Sequence, residues 1–352
     1  MKTKIFIKRW ISLMGICSMI VLISACTAGK KKPEEYTRTD FVMDTVLSEK
    51  LYAQKDLTGE IKDRLSELEK KKLSWRVKDS EVSKVNQSAS VGTTYEMNPD
   101  FSTWASCSLN LAKKSEGAFD PTIGELTRLW NIEGDHPKVP PEKKIAVALE
   151  KIGYENIKIK NNEIRIKDGA TLDLGAVGKG IGCDVVRDYL KTQKSVQGAV
   201  ISVGGSILVY GEKEGGQDWK VAVRDPDGEM DSSMGVLHLS GTACISTSGD
   251  YEKYFVENGK KYHHILDPAT GYPAESNLHS VTVVCAKGEE TDGLLSDGLS
   301  TACFVLGKEK GMQLLEDYGA DGVFIDKEKQ VYVTPGLKEQ FEILSKEYHF
   351  TK

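Results

Sequence analysis

The segment Ile157-Lys158-Ile159-Lys160-Asn161-Asn162-Glu163-Ile164-Arg165-Ile166 alternates isoleucine with polar side chains on both sides of an asparagine pair. An apolar residue at every second position is typical of a β-strand that buries one face. Asparagine tolerates the left-handed backbone that a tight turn requires, so the pair predicts a turn between two antiparallel strands. This hairpin indicates a sheet built by antiparallel pairing.

Other stretches along the chain carry similar signals for strands and helices. Strands are predicted at Ala199–Val203, Ile207–Tyr210, Trp219–Arg224, Val236–Leu239, His279–Cys285, Val323–Ile325 and Val331–Val333. Helices are predicted at residues 59–71, 100–116, 140–153, 178–193, 295–306 and 308–318. Because the strands pair as hairpins and the helices are grouped, we predict a single α+β domain of mostly antiparallel sheet with packed helices, rather than a doubly wound sheet.

The composition is that of a globular protein, with 352 residues of which 39% are hydrophobic and 28% are charged. These values exclude intrinsic disorder, collagen, coiled coil and a polytopic membrane protein. The chain has 47 Lys+Arg against 52 Asp+Glu, a formal net charge of −5. Because binding to a phosphate backbone needs a surplus of basic side chains, this balance argues against a nucleic-acid partner.

The N-terminus has a different character from the rest of the chain. Basic residues precede an uncharged run over residues 10–23, which is followed by Ser24-Ala25-Cys26. We predict a signal peptide at residues 1–25, because the run is too short to span a bilayer comfortably. An uncleaved anchor helix is the alternative. The tetrad Ile23-Ser24-Ala25-Cys26 resembles a bacterial lipobox, which implies acylation of the Cys26 thiol.

This N-terminus divides the chain into three parts. After the signal peptide, residues 26–39 are predicted to be a lipidated cysteine and a polar tether, and residues 40–352 the folded domain. The organisation predicts a protein held by its lipid on the extracytoplasmic face of the cell membrane.

The remaining cysteines of the exported part are scattered, without a Cys-x-x-Cys pair. They are Cys107, Cys183, Cys244, Cys285 and Cys303. Their apolar surroundings favour small buried side chains, so we predict no zinc site and no obligatory disulfide.

A glycine-rich segment, Leu172-Asp173-Leu174-Gly175-Ala176-Val177-Gly178-Lys179-Gly180-Ile181-Gly182, is the first candidate functional motif. A turn followed by a helix start and a lysine would present N–H groups and one cation to a phosphate. The spacing matches neither the Walker loop nor the dinucleotide fingerprint. Ligand binding and a tight structural turn both remain open.

Three further segments concentrate polar side chains. Ser246–Tyr251 and His263–Pro273 are predicted to be loops beside strands, and at most one of the adjacent His263 and His264 can face a site. The fourth segment, Ser296–Ala302, is predicted to open a helix. Asp297 and Thr301 share a face of it and offer oxygen ligands suited to Mg²⁺, but local spacing alone favours the alternative, in which Asp297 caps its helix and Thr301 is buried.

Seven motifs occur in the order found in a known family. They are Met43-Asp44-Thr45 on the first strand, Ser80-Glu81-Val82-Ser83-Lys84-Val85-Asn86, Gly117-Ala118-Phe119-Asp120-Pro121-Thr122-Ile123-Gly124, Asp173-Leu174-Gly175-Ala176-Val177-Gly178-Lys179-Gly180, Thr247-Ser248-Gly249-Asp250-Tyr251, His264-Ile265-Leu266-Asp267-Pro268-Ala269-Thr270-Gly271 and Asp297-Gly298-Leu299-Ser300-Thr301. On these motifs the chain resembles the ApbE flavin-transferase family, the FAD:protein FMN transferases, which are often exported lipoproteins.

The resemblance implies an enzyme that uses Mg²⁺ to transfer the FMN half of FAD onto a Ser or Thr hydroxyl of another protein, with release of AMP. It implies FAD contacts at Met43, Trp75, Ala118, Phe119, Asp120, Asp173, Lys179 and Leu266. It also implies a metal held by the Ala176 carbonyl, Asp297 and Thr301, with Lys179 adding a second positive charge. The implied partner is a subunit of a membrane redox complex or an exported flavoprotein.

Catalysis by this route needs a base, because a hydroxyl is a poor nucleophile near neutral pH. His264 is the candidate, since an unperturbed histidine titrates near neutrality and the residue lies two positions from Leu266. Two other activities remain as alternatives. One is an FAD pyrophosphatase that yields FMN and AMP, and the other is a non-catalytic exported flavin-binding lipoprotein.

The chain departs from the family pattern at three positions. Ser206 follows the paired glycines where the family usually has Asp, and Gly298 stands where Ala is common. Trp75 stands where Tyr is often found, which puts a hydrogen bond to the ligand in doubt but keeps ring stacking.

Overall fold

The computed structural model describes residues 32–167, 169–213, 215–229 and 231–351. Their largest element is a nine-stranded sheet with the strand order β1-β2-β6-β7-β10-β13-β14-β15-β17. All neighbouring pairs in it are antiparallel except β15 and β17. The predicted α+β fold with a mostly antiparallel sheet is confirmed.

The strands of this sheet are β1 (Glu34–Val42), β2 (Thr45–Ala53), β6 (Val196–Val203), β7 (Ser206–Gly211), β10 (Ala243–Gly249), β13 (Leu278–Cys285), β14 (Asp321–Asp326), β15 (Gln330–Val333) and β17 (His349–Phe350). Smaller sheets contain β3 (Tyr95–Glu96), β4 (Ile157–Lys160) and β5 (Glu163–Ile166), β8 (Trp219–Arg224), β9 (Ser233–Leu239) and β16 (Phe341–Ile343), and β11 (Tyr254–Glu257) with β12 (Lys260–His263).

The α-helices in the described residues are α1 (Thr58–Leu68), α2 (Glu81–Ser90), α3 (Pro99–Lys114), α4 (Gly124–Trp130), α5 (Glu142–Leu149), α6 (Gly178–Thr192), α7 (Asp292–Leu306) and α8 (Lys308–Tyr318). A π-helical segment, Glu69–Leu73, continues α1, and 3₁₀ turns occupy Tyr154–Asn156 and Pro335–Leu337. The predicted helix over residues 59–71 is therefore an α-helix followed by a π-helical segment.

The hairpin from which the fold class was inferred is confirmed. Strands β4 and β5 pair in antiparallel register, and Asn161 takes a φ of 54° in the turn. Ile164 and Ile166 are buried, as the alternation of apolar and polar residues predicts.

The first hairpin of the chain corrects one prediction. Met43 and Asp44 are not on the first strand, because they form the two-residue turn between β1 and β2 with φ values of 54° and 55°. These values are those of a turn that matches the twist of the flanking strands. Strand β1 also begins at Glu34, so regular structure starts six residues before residue 40, the predicted domain start.

Two other predictions about local structure are wrong. Residues 246–249 belong to strand β10 instead of a loop, because all four pair with β13 and Ser246 also pairs with β7. Helix α7 begins at Asp292, so Asp297 lies in its second turn and does not cap it. The N-cap explanation of Asp297 is therefore incorrect.

Helices α6 and α7 cross in direct contact because glycine faces glycine. A Cβ atom at Gly180 would lie 2.0 Å from the Gly293 carbonyl oxygen, and one at Gly293 would lie 2.2 Å from the Gly180 oxygen. Helix α7 also packs on strands β10 and β13. The sequence left ligand binding and a tight turn open as functions of the glycine-rich segment. At Gly180 and Gly182, the absence of a side chain allows neighbouring elements to pack at close range.

The five scattered cysteines are free thiols, and four of them are buried. No helix in the described residues combines the length and the apolar character needed to cross a membrane. The predicted signal peptide and Cys26 lie outside the residues that the structure describes.

Candidate active site

A cleft of about 290 Å³ opens where several separate segments meet. Its walls are the β1–β2 turn, the residues after the π-helical segment, the loop after α3, the start of α6, the end of β10, the residues after β12 and one face of α7. All the predicted site residues line this cleft: Met43, Trp75, Ala118, Phe119, Asp120, Asp173, Ala176, Lys179, His264, Leu266, Asp297 and Thr301. Residues predicted from motifs more than 250 positions apart thus converge on one site.

Asp297 joins helix α7 to the start of helix α6. Its Oδ2 atom accepts a hydrogen bond of 2.9 Å from the Gly180 backbone N–H, one of the N–H groups that a first helical turn leaves without a partner. Its Oδ1 atom lies 3.9 Å from the Lys179 ammonium nitrogen. The carboxylate is buried apart from its contact with the cleft. Oδ2 of Asp297 is thus fixed by α6. Oδ1 faces Lys179, which is the only cationic side chain that pairs with Asp297 in the described residues.

A ladder of buried hydroxyl groups fixes α7 on the sheet. The Ser246 hydroxyl lies 3.1 Å from that of Ser206 and 2.9 Å from that of Ser296. One step along β10, the Ser248 hydroxyl lies 2.8 Å from that of Ser300 and 3.3 Å from that of Thr301. These contacts set the rotation of α7 that turns Asp297 and Thr301 toward the cleft.

The sequence did not reveal this ladder, although Ser246 and Ser248 stood in a motif that was quoted. The two serines lie in a strand that is buried on both faces over most of its length, so residues 243–249 show no alternation of apolar and polar side chains. Hydroxyl side chains are also common in loops, so these residue types do not indicate a strand.

The two other predicted carboxylates of the site, Asp120 and Asp173, accept backbone hydrogen bonds within the cleft walls. Asp120 accepts bonds from the backbone N–H groups of Thr122 and Tyr154, each at 2.8 Å, and Asp173 accepts one from Gly175 at 2.8 Å. Burial raises the pKa of both carboxyl groups. These bonds hold the cleft walls, and both side chains still reach the cleft surface.

The Trp75 ring is flanked by cationic side chains that the sequence analysis did not select. The guanidinium carbon of Arg76 lies 4.5 Å from the ring centroid and that of Arg128 lies 4.9 Å from it. Arg76 also lines the cleft and lies 3.8 Å from Asp44 in the β1–β2 turn. Arg76 pairs with Asp44 and Arg128 lies 2.9 Å from Glu125, so the positive charges beside the ring are matched by carboxylates.

The adjacent histidines point in different directions, as expected for extended backbone. His263 is buried, with Nε2 3.1 Å from the Ala274 carbonyl oxygen, and its ring packs edge-on against Phe304. His264 lines the cleft, with Nδ1 3.3 Å from the Lys253 carbonyl oxygen. Burial lowers the pKa of His264 to about 4, and the charges of Lys179 and Lys253 act in the same direction. His264 is therefore neutral at pH 7, and the expectation that it titrates near neutrality is wrong because the residue is buried beside two lysines.

Two departures from the family pattern have structural explanations. A Cβ atom at Gly298 would lie 2.5 Å from Leu111 Cδ2 and 2.9 Å from Val177 Cγ1, so this chain packs tightly around glycine where alanine is common. Ser206 follows the paired glycines and is part of the hydroxyl ladder through Ser246.

One cleft of this α+β domain combines a glycine-rich helix start, an adjoining lysine and oxygen ligands. These features define a class of domains suited to binding phosphate esters. The chain belongs to the ApbE family, whose family model matches residues 43–324. The resemblance found from the motifs is confirmed.

The chain is similar to characterised relatives over most of its length. It is 29% identical over 356 residues to the FAD:protein FMN transferase of Treponema pallidum, covering 94% of this chain and 95% of the relative. It is 32% identical over 320 residues to the FAD:protein FMN transferase of Vibrio cholerae, covering 88% and 91%.

Solved structures give the same result. The ApbE protein of Thermotoga maritima superposes with a TM-score of 0.78 at 30% identity, over 87% of this chain and 99% of that one. The flavin transferase ApbE of Vibrio cholerae superposes with a TM-score of 0.76 at 29% identity, over 88% and 99%.

Proposed function

We propose that the protein is an FAD:protein FMN transferase that uses Mg²⁺, modifies a Ser or Thr hydroxyl of an acceptor protein and releases AMP. The observation that carries the proposal is the convergence of all the motif-implied FAD and metal residues on one cleft, in a member of the ApbE family. The names of the relatives support the same activity.

The residues in the cleft fit a magnesium ion. Asp297 has one carboxylate oxygen engaged with α6 and the other directed to the cleft, and the Thr301 hydroxyl lies on the same face of α7. Hard oxygen ligands of this kind suit Mg²⁺, which leaves part of its coordination shell to water and substrate phosphates. When bound by Asp297, Thr301 and the Ala176 carbonyl, the ion would neutralise charge on the pyrophosphate. No group of three or more His, Cys, Asp and Glu residues that could hold a metal ion occurs in the described ranges, so the proposed magnesium site rests on the single carboxylate of Asp297 with a hydroxyl and a carbonyl oxygen.

The residues of the chain then have distinct tasks. Lys179 and the N-terminal turn of α6 offer positive charge to the pyrophosphate. Trp75, Phe119 and Met43 offer aromatic and soft apolar surface to the flavin or adenine rings. The Glu69 carboxylate fixes the Met43 backbone through a bond of 3.0 Å from its N–H.

The transfer step needs a proton acceptor, and we assign it to His264. The acceptor oxygen forms a bond to the phosphorus of the FMN half, the pyrophosphate P–O bond breaks, and AMP leaves with the bridging oxygen. The hydroxyl proton passes to His264. If Nδ1 donates its hydrogen to the Lys253 carbonyl, Nε2 is the nitrogen that accepts the proton.

Replacement of His264 by alanine is expected to lower the rate of FMN transfer by about 10²-fold, the lower end of the range for a general base. The dissociation constant for FAD should change little. Because the pKa of His264 is lowered to about 4, the imidazole stays neutral on acidification through the usual histidine range. On the acidic side of a pH profile, kcat/KM for the acceptor should therefore fall only below roughly pH 5.

His263→Gln is the matched control, because His263 lies outside the cleft lining. An acidic limb centred near the ordinary histidine value of about 6.5 in the wild type would contradict the assignment. So would a His264→Ala variant that transfers FMN at the wild-type rate.

The activity is tested by incubating residues 27–352 with FAD and Mg²⁺, with and without an acceptor. The acceptor is the apo form of a redox-complex subunit that carries FMN covalently on a threonine. Acceptor-dependent AMP with a matching gain in acceptor mass is expected. Equal AMP and free FMN without acceptor would identify an FAD pyrophosphatase, and tight FAD binding without products a flavin carrier.

We also propose that the protein is a lipoprotein on the extracytoplasmic face of the cell membrane, acylated at Cys26. The tetrad that ends at Cys26 and the polar residues before Glu34 support this arrangement. The wild-type protein, but not a Cys26→Ala variant, is expected to incorporate labelled palmitate in growing cells. Equal labelling of the two proteins would contradict acylation at Cys26.

A further inference from the structure

His279 lies outside the cleft lining, and both nitrogens of its ring contact carboxylates. Nδ1 lies 2.6 Å from an oxygen of Asp250, the residue after β10, and Nε2 lies 3.1 Å from an oxygen of Asp227, in the loop between β8 and β9. An ionised carboxylate accepts hydrogen bonds and cannot donate them, so a ring that bonds to both must carry a hydrogen on each nitrogen. The imidazolium of His279 therefore forms a charged bridge between two separate segments.

An irregularity in β13 sets the position of this side chain. Leu278 and Ser280 pair with consecutive residues of β14, so His279 is an extra residue in the register of the two strands. A bulge of this kind redirects a side chain, and bulges are common beside active sites. The His279 carbonyl oxygen also accepts the Asp250 N–H at 3.2 Å. Both the backbone and the ring of His279 thus hold Asp250.

Asp250 begins a short segment, residues 250–253, that ends at a contact with the proposed base. Asp250 itself is buried, and Glu252 and Lys253 line the cleft. The Lys253 carbonyl oxygen accepts the His264 backbone N–H at 3.0 Å and lies 3.3 Å from Nδ1 of the same residue. The segment therefore connects the His279 bridge to the group that orients the His264 ring.

The carboxylates of the bridge also face lysines on neighbouring elements. Asp250 lies 3.3 Å from the Lys261 ammonium of β12, and Asp227 lies 3.3 Å from that of Lys329, between β14 and β15. Burial opposes the charge of His279, but the bonds and charges of Asp250 and Asp227 outweigh it and raise the pKa of the imidazole. Further charged or titratable side chains on these strands and loops are Arg224, Asp225, Tyr251, Glu252, His263 and Asp326.

We propose that His279 is a positioning residue for the transfer reaction, and that its bridge from Asp227 to Asp250 fixes the segment whose Lys253 carbonyl orients His264. The inference rests on the proposed function and on the assignment of His264 as proton acceptor. When the His279 ring loses its proton, one nitrogen presents a lone pair to a carboxylate, and that side of the bridge opens. The base then loses its fixed orientation, which slows the transfer step.

Wild-type kcat for FMN transfer is therefore expected to fall as the pH rises above the pKa of His279, which lies above the ordinary histidine value of about 6.5. His279→Gln cannot carry the charge, so this fall at high pH should disappear. Near neutral pH the variant should lower kcat by about tenfold, less than the loss of about 10²-fold expected without the base itself. The KM for FAD should change little.

Asp227→Asn tests the bridge from its exposed end, without a change in the buried residues. Removal of this negative charge favours the neutral ring, so the fall in kcat should move to lower pH. The matched control is His238→Gln, because His238 also lies near a carboxylate, 3.4 Å from Glu342, and outside the cleft lining. This control should keep the wild-type kcat and pH profile.

The acceptor in these assays is the apo redox-complex subunit with a reactive threonine, and an NMR titration of the ring nitrogens follows His279 without turnover. A His279 ring that is neutral near pH 7 would overturn the bridge. A wild-type kcat and pH profile in His279→Gln or Asp227→Asn, in an enzyme that labels the subunit, would overturn the positioning role and leave the transferase intact. A wild-type enzyme that releases AMP without labelling would remove the proposed function and the positioning role together.

Discussion

Replacement of Asp297 by asparagine is expected to lower AMP release from FAD by about 10³-fold, the scale seen when charge stabilisation at a reacting centre is lost. Asparagine keeps the size of the side chain, and its carbonyl oxygen can still accept the bond from the Gly180 N–H. The substitution therefore removes the negative charge and leaves the contact between α6 and α7. The rate should recover partly at high Mg²⁺ concentration, because the remaining oxygens bind the ion more weakly.

The control for this experiment is Asp292→Asn, in the same helix. Asp292 is buried and accepts bonds from Gly288 and Glu289, but it does not line the cleft. AMP release should therefore stay near the wild-type rate in this variant. Mg²⁺-dependent turnover by Asp297→Asn at the wild-type rate would exclude Asp297 as a metal ligand and leave it as a contact between helices.

Replacement of Asp184 by alanine is expected to reduce the free energy of unfolding by about 3–5 kcal/mol. Asp184 Oδ1 lies 2.6 Å from an Arg187 guanidinium nitrogen and accepts the Gly293 N–H at 2.7 Å. Its Oδ2 accepts the Leu294 N–H at 2.8 Å. The carboxylate thus caps the first turn of α7 from α6, and its loss leaves these N–H groups and a buried guanidinium without that partner.

Chemical denaturation measured by circular dichroism provides the test. Asp188→Ala is the matched control, because Asp188 also contacts Arg187 but is largely exposed, and its loss should cost less than about 1 kcal/mol. A double change of Asp184 and Arg187 to leucine should cost less than Asp184→Ala alone, since no unpaired charge remains. Equal destabilisation by the Asp184 and Asp188 variants would show that the Asp184 cap and its buried pair with Arg187 contribute no more to the free energy of unfolding than an exposed ion pair does.

The crossing of α6 and α7 affects both the stability of the fold and the arrangement of the candidate active site. Asp184 in α6 accepts a hydrogen bond from the Gly293 N–H at the start of α7, and Asp297 in α7 accepts one from the Gly180 N–H in α6. The glycine contact between Gly180 and Gly293 leaves no room for a side chain between the helices. A substitution that separates the helices would therefore also move Asp297 and Thr301 away from the lysine.

Local patterns in the sequence predicted much of the fold. The alternation over residues 157–166 gave a hairpin that the structure contains with its turn at Asn161. The predictions failed where two periodicities or two roles were compatible with the same residues. The turn at Met43 and Asp44 contains no glycine, so its sequence does not indicate a turn. The hydroxyl-rich residues 246–249 are as typical of a loop as of a strand.

The candidate site could be predicted only as a set of separate motifs. Their residue types indicated phosphate, metal and ring contacts, and the order of the motifs indicated the family, but spacing could not show which side chains meet. Local spacing favoured an N-cap role for Asp297, whereas the family motif favoured a metal ligand. The two roles were separated by the observation that α7 starts at Asp292 and that Asp297 contacts a different helix.

The sequence by itself determined the composition class, the position of many strands, the local hairpin at residues 157–166 and the residue types available for chemistry, because these follow from periodicity and side-chain identity over a few neighbouring positions. Only the tertiary structure decided the cleft, the hydroxyl ladder and the crossing of α6 with α7. These depend on contacts between residues far apart in the sequence, such as Gly180 and Asp297, which are 117 positions apart. Such contacts form because buried polar groups must find partners wherever the packed sheet and helices place them.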